Sequence, residues 1–234
     1  MSGRRIYFPI VKKLENSIIV SSQASINEPF YPDEAMKAMI QSVINGGAQG
    51  LRLAGPSHIH LAKMLTDLPV IGITKPDIIP ENYKEIVYIT PAFQDAEAIY
   101  KAGADIIAID ATSRKRPAEN LEVLIQRIHS ELNCPVMADI STIDEGLNAC
   151  ELGADILSTT LAGYTAYSKA TNGPDFELLD RLIKYTDRPV ILEGRIETPD
   201  HVKIAFEKGA FAVVIGSAIT RPQLITHKFV NIIK

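Results

Sequence analysis

A chain of 234 residues with net charge −4, 46% hydrophobic and 22% charged residues has the make-up of an ordinary globular protein. The acidic balance and the shortness of the basic clusters Arg4-Arg5 and Arg114-Lys115-Arg116 argue against a nucleic-acid surface, and no apolar run is long enough to span a bilayer. Cys134 and Cys150 make neither a disulfide framework nor a CxxC motif, and MSGRRIYFPIVKKLENS at the N-terminus lacks the apolar core of a signal peptide, so a reduced, cytoplasmic protein is expected.

No linker rich in Pro, Gly and Ser divides the chain, and residues 1–234 are expected to form one domain. Ile18 to Ser22 reads as a first strand, Asp33 to Asn45 as a helix, Gly50 to Leu53 as a second strand, and Ser57 to Thr66 as a second helix. A repeat then begins. Leu68-Pro69-Val70 opens VIGIT and leads to Gly103-Ala104-Asp105 and IIAID; Cys134-Pro135-Val136 opens VMADI and leads to Gly153-Ala154-Asp155 and ILSTT. Arg188-Pro189-Val190 opens VILEG and leads to Gly209-Ala210-Phe211 and AVVIG. Each unit is a strand, a helix, a glycine stop and a second strand. The first unit carries an insertion, Pro76 to Pro80, followed by a short extra strand at Val87 to Thr90. The remaining helices are expected at Gln94 to Lys101, Ala118 to Leu132, Thr142 to Leu152, Asp175 to Tyr185 and Pro222 to Ile232. A further helix is expected between Thr198-Pro199-Asp200 and Lys208-Gly209. Eight buried parallel strands alternating with helices predict a closed (β/α)8, or TIM, barrel.

In such barrels the ligand sits over the C-terminal strand ends, and phosphate is commonly held after strands seven and eight. Gly194-Arg195 and Gly216-Ser217 are the small-residue turns there, suited to cradling an anion with backbone N–H groups. The other strand ends carry Gln23, Arg52, Lys75, Asp110, Asp139, Thr159-Thr160 and Glu193. A single polar strand end is unremarkable; this many charges at one mouth point to a site. Lys75, if desolvated or near Arg52, can lose its proton and then abstract a proton α to a carbonyl or form a Schiff base. The plainer alternative is a structural salt bridge from Lys75 to Asp139 or Glu193. His58, His60, His129, His201 and His227 fall outside the mouth, with His58-x-His60 an exposed helix start, so no metal is expected. No GxGxxG follows a strand, and no nucleotide cofactor is expected.

The segments IIVSSQA (18–24), GLRLAG (50–55), VIGITK (70–75), YITPAF (88–93), ADIIAIDAT (104–112), MADISTIDEGLNA (137–149), GADILSTTLAGYT (153–165), ILEGRI (191–196) and VVIGSAITRP (213–222) carry a resemblance along almost the whole chain. It resembles the N-acylglucosamine-6-phosphate (N-acetylmannosamine-6-phosphate) 2-epimerases of sialic acid breakdown. Ser22, Pro76 and Ser113 depart from the common pattern. The resemblance implies a cofactor-free isomerase in which Lys75 acts on the C2 proton with Glu193 as acid–base partner. It further implies that Gln23, Arg52 and Asp139 hold the opened sugar, and that Arg221 with the backbone at Gly194, Arg195, Gly216 and Ser217 holds the phosphate. A homodimer is implied as well. The alternatives on the same scaffold are a metal-dependent pentose-phosphate epimerase, a Schiff-base aldolase, and a barrel that binds sugar phosphate without turning it over.

Overall fold

The computed structural model describes residues 7–233; the Arg4-Arg5 pair lies outside them. In chain order the strands are β1 (Ser17–Ser22), β2 (Gly50–Ala54), β3 (Val70–Ile73), β4 (Ile106–Asp110), β5 (Val136–Asp139), β6 (Ile156–Ser158), β7 (Val190–Glu193) and β8 (Ala212–Ile215). The helices are α1 (Pro9–Lys12), α2 (Asp33–Asn45), α3 (Pro56–Leu65), α4 (Phe93–Lys101), α5 (Leu121–Arg127), α6 (Ile143–Glu151), α7 (Phe176–Tyr185), α8 (Pro199–Glu207), α9 (Ser217–Thr220) and α10 (Pro222–Val230). The strands pair in sequence order, all parallel, and β8 closes on β1 through Ser17↔Ala212 to Val20↔Ile215. The expected TIM barrel is therefore the observed fold.

The repeat has a physical meaning. Gly103, Gly153 and Gly209 end their helices at φ of 104°, 101° and 94°, a region that L side chains avoid. In the first two units the aspartate two residues later turns back to the preceding strand. Asp105 accepts from Val70 N and Asp155 from Val136 N, at 2.9 and 2.8 Å. The third unit has Phe211 there, and fills the space with a fully buried ring. Helix starts are equally local: Thr142 and Glu145 form a reciprocal capping box, and Thr198 caps α8 ahead of Pro199.

Side-chain alternation sorts the strands into two apolar layers. Ile19, Ile71, Ile73, Ile106, Ala108, Met137, Ile156, Ile191, Ala212 and Val214 pack inside the barrel, with Val11 and Leu14 from the α1 region packed into the same cluster. The residues between them pack outward under the helices. The same period carries polar residues to the interior at the upper end of the strands: Ser21, Arg52, Asp110, Asp139, Ser158 and Glu193 each follow an inward apolar or small residue by two positions.

Three local expectations are corrected. Val87 to Thr90 is not a strand. The β3–β4 ladder is only two registered pairs long, and the inserted segment enters where those strands diverge. It is held there by Thr90 N to Thr74 O (3.0 Å), Asp110 N to Ile89 O (3.1 Å) and one bridge, Ile86 to Lys115. The sixth strand stops at Ser158, and Thr159–Leu161 forms a 3₁₀ turn. The helix expected from Ala118 starts at Leu121, because Asn120 caps it through Val123 N, and its end, Ile128–Leu132, is π-helical.

Gly72 in β3 lies in close contact with α3, α4 and the turn before β4. A Cβ there would lie 2.7 Å from Ala104 Cβ and 2.9 Å from Ile59 Cδ1. Gly72→Ala should cost about 1–3 kcal/mol through overpacking, or roughly 3–10 °C in Tm for a chain of this length. A thermal melt matching the parent protein would show that this seam has slack.

Candidate active site

The upper interior is built around Arg52. Its side chain is 1% exposed and sits between the carboxylates of Asp139, fully buried, and Glu193, 12% exposed. Nη1 donates to Asp139 Oδ1 (3.0 Å) and Glu193 Oε2 (2.7 Å), and Nη2 donates to Asp139 Oδ2 (2.5 Å). Thr160, in the turn after β6, brings its hydroxyl within 2.7 Å of Asp139 Oδ1 and 2.9 Å of Glu193 Oε2. That hydroxyl has a single proton and satisfies only one of them at a time. One cation thus faces two carboxylates in a low-dielectric layer. Asp139 takes both ends of the fork, and Glu193 receives one of the Nη1 bonds. Burial pushes its carboxyl up to about 7; Arg52 opposes the shift and Asp139 adds to it. Burial works against the charge on Arg52, but the two carboxylates outweigh it and hold the guanidinium above its ordinary value.

Lys75 follows β3 and has no hydrogen-bond or ion-pair partner among the described residues. The alternative of a structural salt bridge to Asp139 or Glu193 therefore does not apply: Arg52 occupies both. Burial lowers the Lys75 ammonium to about 8; Arg221 and Arg52 lower it further and Glu28 opposes them. An amine so placed is partly neutral near physiological pH and can accept a proton.

Lys75 and Glu193 border the same cavity, of about 520 Å³, and so do Gln23, Gly194, Arg195, Gly216, Ser217 and Arg221. Arg52 and Asp139 lie beneath it instead of in its wall. Their polar ends are engaged with each other and with Glu193, immediately beside the wall residue Thr160. Asp110 is likewise absent from the wall. It is fully buried and bound by Arg114 Nη2 (2.5 Å), Thr112 N (3.0 Å) and Thr112 Oγ1 (2.6 Å). Burial pushes its carboxyl up, to about 6, against Arg114. The run Arg114-Lys115-Arg116 is thus no solvated patch: Arg114 reaches Asp110 and Tyr83 O, and Arg116 reaches Asp110 O and Pro91 O.

The two turns after β7 and β8 differ in construction. Gly194 and Arg195 are both left-handed, at φ 105° and 54°. The Arg195 guanidinium turns away to Gly173 O (2.8 Å), Ala162 O (2.9 Å) and Thr171 Oγ1 (3.1 Å), which ties down the loop after β6 and leaves the Arg195 side chain committed there. Gly216 opens α9, which Thr220 fixes to β1 through Ser21 O at 2.8 Å. Arg221 is anchored by Glu28, with Nη1 to Oε1 at 3.0 Å and Nη2 to Oε2 at 3.1 Å.

Several wall residues were not foreseen. Tyr88 and Tyr164 lie on the inserted segment and on the loop after β6, and His227 comes from α10, so one of the five histidines does border the cavity. Another, His58, is buried against Tyr31 O at 2.9 Å and not exposed as expected. No signal in the sequence marked these positions beyond the unusual length of the inserted loop. Among the described residues no group of three or more His, Cys, Asp or Glu is placed to hold a metal ion.

Comparison with known proteins gives the family. The family described as "Putative N-acetylmannosamine-6-phosphate epimerase" matches residues 36–234. A Clostridium perfringens (strain ATCC 13124) protein described as "Putative N-acetylmannosamine-6-phosphate 2-epimerase" is 45% identical over 223 residues, covering 94% of this chain and 98% of its own. A Clostridioides difficile (strain 630) protein with the same description is 46% identical over 227 residues, covering 96% and 99%. The solved structure of an N-acetylmannosamine-6-phosphate 2-epimerase from Clostridium perfringens superposes with a TM-score of 0.89 at 42% identity, covering 99% of this chain and 100% of that one. The chain belongs to the N-acetylmannosamine-6-phosphate 2-epimerase family.

Proposed function

We propose that this chain interconverts N-acetylmannosamine 6-phosphate and N-acetylglucosamine 6-phosphate by removing and returning the proton on C2. The observation that carries the reading is a lysine unpaired among the described residues and a burial-raised glutamate in the wall of one cavity. Family membership and relatives with that printed activity support it.

Carbon 2 of the closed sugar ring is not acidic; the open-chain aldehyde at C1 makes its proton removable. In this reading neutral Lys75 takes the proton, the C–H electron pair becomes the C1=C2 bond, and the carbonyl π pair moves onto oxygen. Protonated Glu193 returns a proton to C2 from the other side, and the carbonyl re-forms. The reverse direction begins with the proton on Lys75. Arg52, Asp139 and Thr160 keep Glu193 oriented and set its affinity for that proton, while Gln23 meets the sugar. The backbone at Gly194, Arg195, Gly216 and Ser217, with Arg221, holds the phosphate. Breakdown of amino sugars from sialic acid in the cytoplasm is the setting this reaction fits. No helix among the described residues is long and apolar enough to cross a membrane.

We also propose a homodimer. Helix α10 buries none of its residues, and Phe229 and Ile232 are 70% and 80% exposed. An apolar groove of about 520 Å³ runs along β1 and α2, bordered by Ile18, Val20, Phe30, Met39 and Val43. Two copies can cover these surfaces, which one copy leaves open to water.

In deuterium oxide, product formed from N-acetylmannosamine 6-phosphate should carry deuterium at C2, as read by NMR; unlabelled product would end the proposal. Lys75→Ala should lower both turnover and wash-in by about 10²–10⁴-fold with the fold intact. Either direction uses one proton shared between Lys75 and Glu193. The profile of kcat/KM against pH should therefore be bell-shaped, falling below about 7, where both are protonated, and above about 8, where neither is. A rate that climbs without a maximum through about pH 9 would remove Glu193 from the proton transfer. For the assembly, light scattering should give twice the chain mass, and Phe229→Asp with Ile232→Asp should shift it to one; an unaltered dimer would place the interface elsewhere.

A further inference from the structure

Loss of the C2 proton puts negative charge on the C1 oxygen, and that charge needs a donor already in place. Arg52 is the obvious candidate by charge, but both of its Nη groups are engaged by Asp139 and Glu193 below the cavity. Its Nε is buried without a partner, beneath the wall and not in it. The inserted segment between β3 and α4 supplies another donor in the wall itself.

We propose that the hydroxyl of Tyr88 donates a hydrogen bond to the substrate's C1 oxygen as the C2 proton leaves, which makes Tyr88 a further catalytic residue. This rests on the epimerase reading above. Tyr88 borders the same cavity as Lys75 and Glu193. Its ring packs against the apolar cluster inside the barrel, edge-on to Tyr83 at a centroid distance of 6.5 Å, with the Arg114 guanidinium 5.7 Å from the ring centre. The backbone beside it is pinned on both sides, by Asp110 N to Ile89 O and Thr90 N to Thr74 O. The ring is therefore held from three directions, and the hydroxyl has no hydrogen-bond partner among the described residues. A half-buried phenol ordinarily finds a partner, and one that has none and borders a ligand cavity is placed to meet a ligand.

The chemistry suits a donor and not a base. Burial raises the Tyr88 phenol above its ordinary value; Arg114 opposes this, and Asp110, Tyr83 and Asp139 add to it. The proton stays on oxygen throughout the working pH range. Tyr88 and Glu193 line that cavity together, above the level where Arg52 and Asp139 meet. No proton leaves Tyr88 in the cycle: Lys75 and Glu193 exchange the C2 proton, while the phenol stabilises the oxygen charge and relaxes when the carbonyl re-forms. The buried Asp110–Arg114 pair then acquires a role of its own, since it fixes the segment that carries the ring.

The test compares wild type, Tyr88→Phe and Tyr83→Phe by steady-state kinetics and by deuterium wash-in at C2, with melts to confirm folding. Tyr88→Phe keeps the ring and its packing. It should lower kcat by about 10²-fold, as loss of one oxyanion donor does, with KM changed by less than about threefold and wash-in reduced in parallel. Tyr83→Phe, whose ring supports Tyr88 from outside the cavity, should keep kcat within about twofold of wild type, as it removes no donor from the site. A loss in Tyr88→Phe of less than about tenfold, or an equal loss in both variants, overturns the inference, because a donor to the developing charge must be worth more than that. A wild-type protein that fails to epimerise the sugar phosphate overturns the function proposed above instead, so the two failures are told apart.

Discussion

One buried guanidinium sets the character of this site. Arg52 reaches from β2 to β5 and β7 across the inside of the barrel, and in doing so it links elements separated by 87 and 141 residues of chain. A charge taken out of water must be compensated where it lies. Here the compensation is unequal: Asp139 receives two parallel hydrogen bonds and Glu193 receives one. Burial, with Asp139 alongside and Arg52 only partly opposing, leaves Glu193 able to exchange a proton near neutrality. Lys75 is tuned in the opposite manner. It has no hydrogen-bond or ion-pair partner among the described residues, and burial with nearby positive charge loosens its proton. An acid and a base of similar strength are thus produced from a glutamate and a lysine whose ordinary values lie six units apart (4.5 and 10.5).

Much of the scaffold was legible from the chain alone because its signals are local. A strand buried on both faces needs a short β-branched run, a helix needs a cap, and a left-handed stop needs glycine. Three copies of that grammar, Pro69 to Asp110, Pro135 to Ser158 and Pro189 to Ile215, are enough to indicate a closed barrel. The strand-end charges were also legible, since alternation places Arg52, Asp139 and Glu193 on the inner side.

Depth was not legible. Alternation says that a residue points inward and not whether it stands in the wall of a cavity or below its floor. Nothing local shows that Arg52 and Asp139 hydrogen-bond each other and Glu193 across the barrel. Asp110 was read as a mouth residue because the reach of Arg114 and Arg116 back over it depends on how the following loop folds. The inserted segment was read as a strand because YIT has strand composition; in the folded molecule it finds no free ladder edge and becomes part of the wall. Such features depend on partners brought together only by the finished fold.

The lower end of the barrel has a consequence for traffic. Val11 and Leu14, at 1% and 0% exposure, stopper the inner apolar layer from beneath, so among the described residues the lower end of the barrel is closed. Both epimers therefore arrive and depart at the upper end, where the strand C-termini border the cavity. A catalyst for a freely reversible reaction then cannot separate incoming from outgoing sugar by route. Net direction has to be imposed downstream, by whatever draws one epimer away.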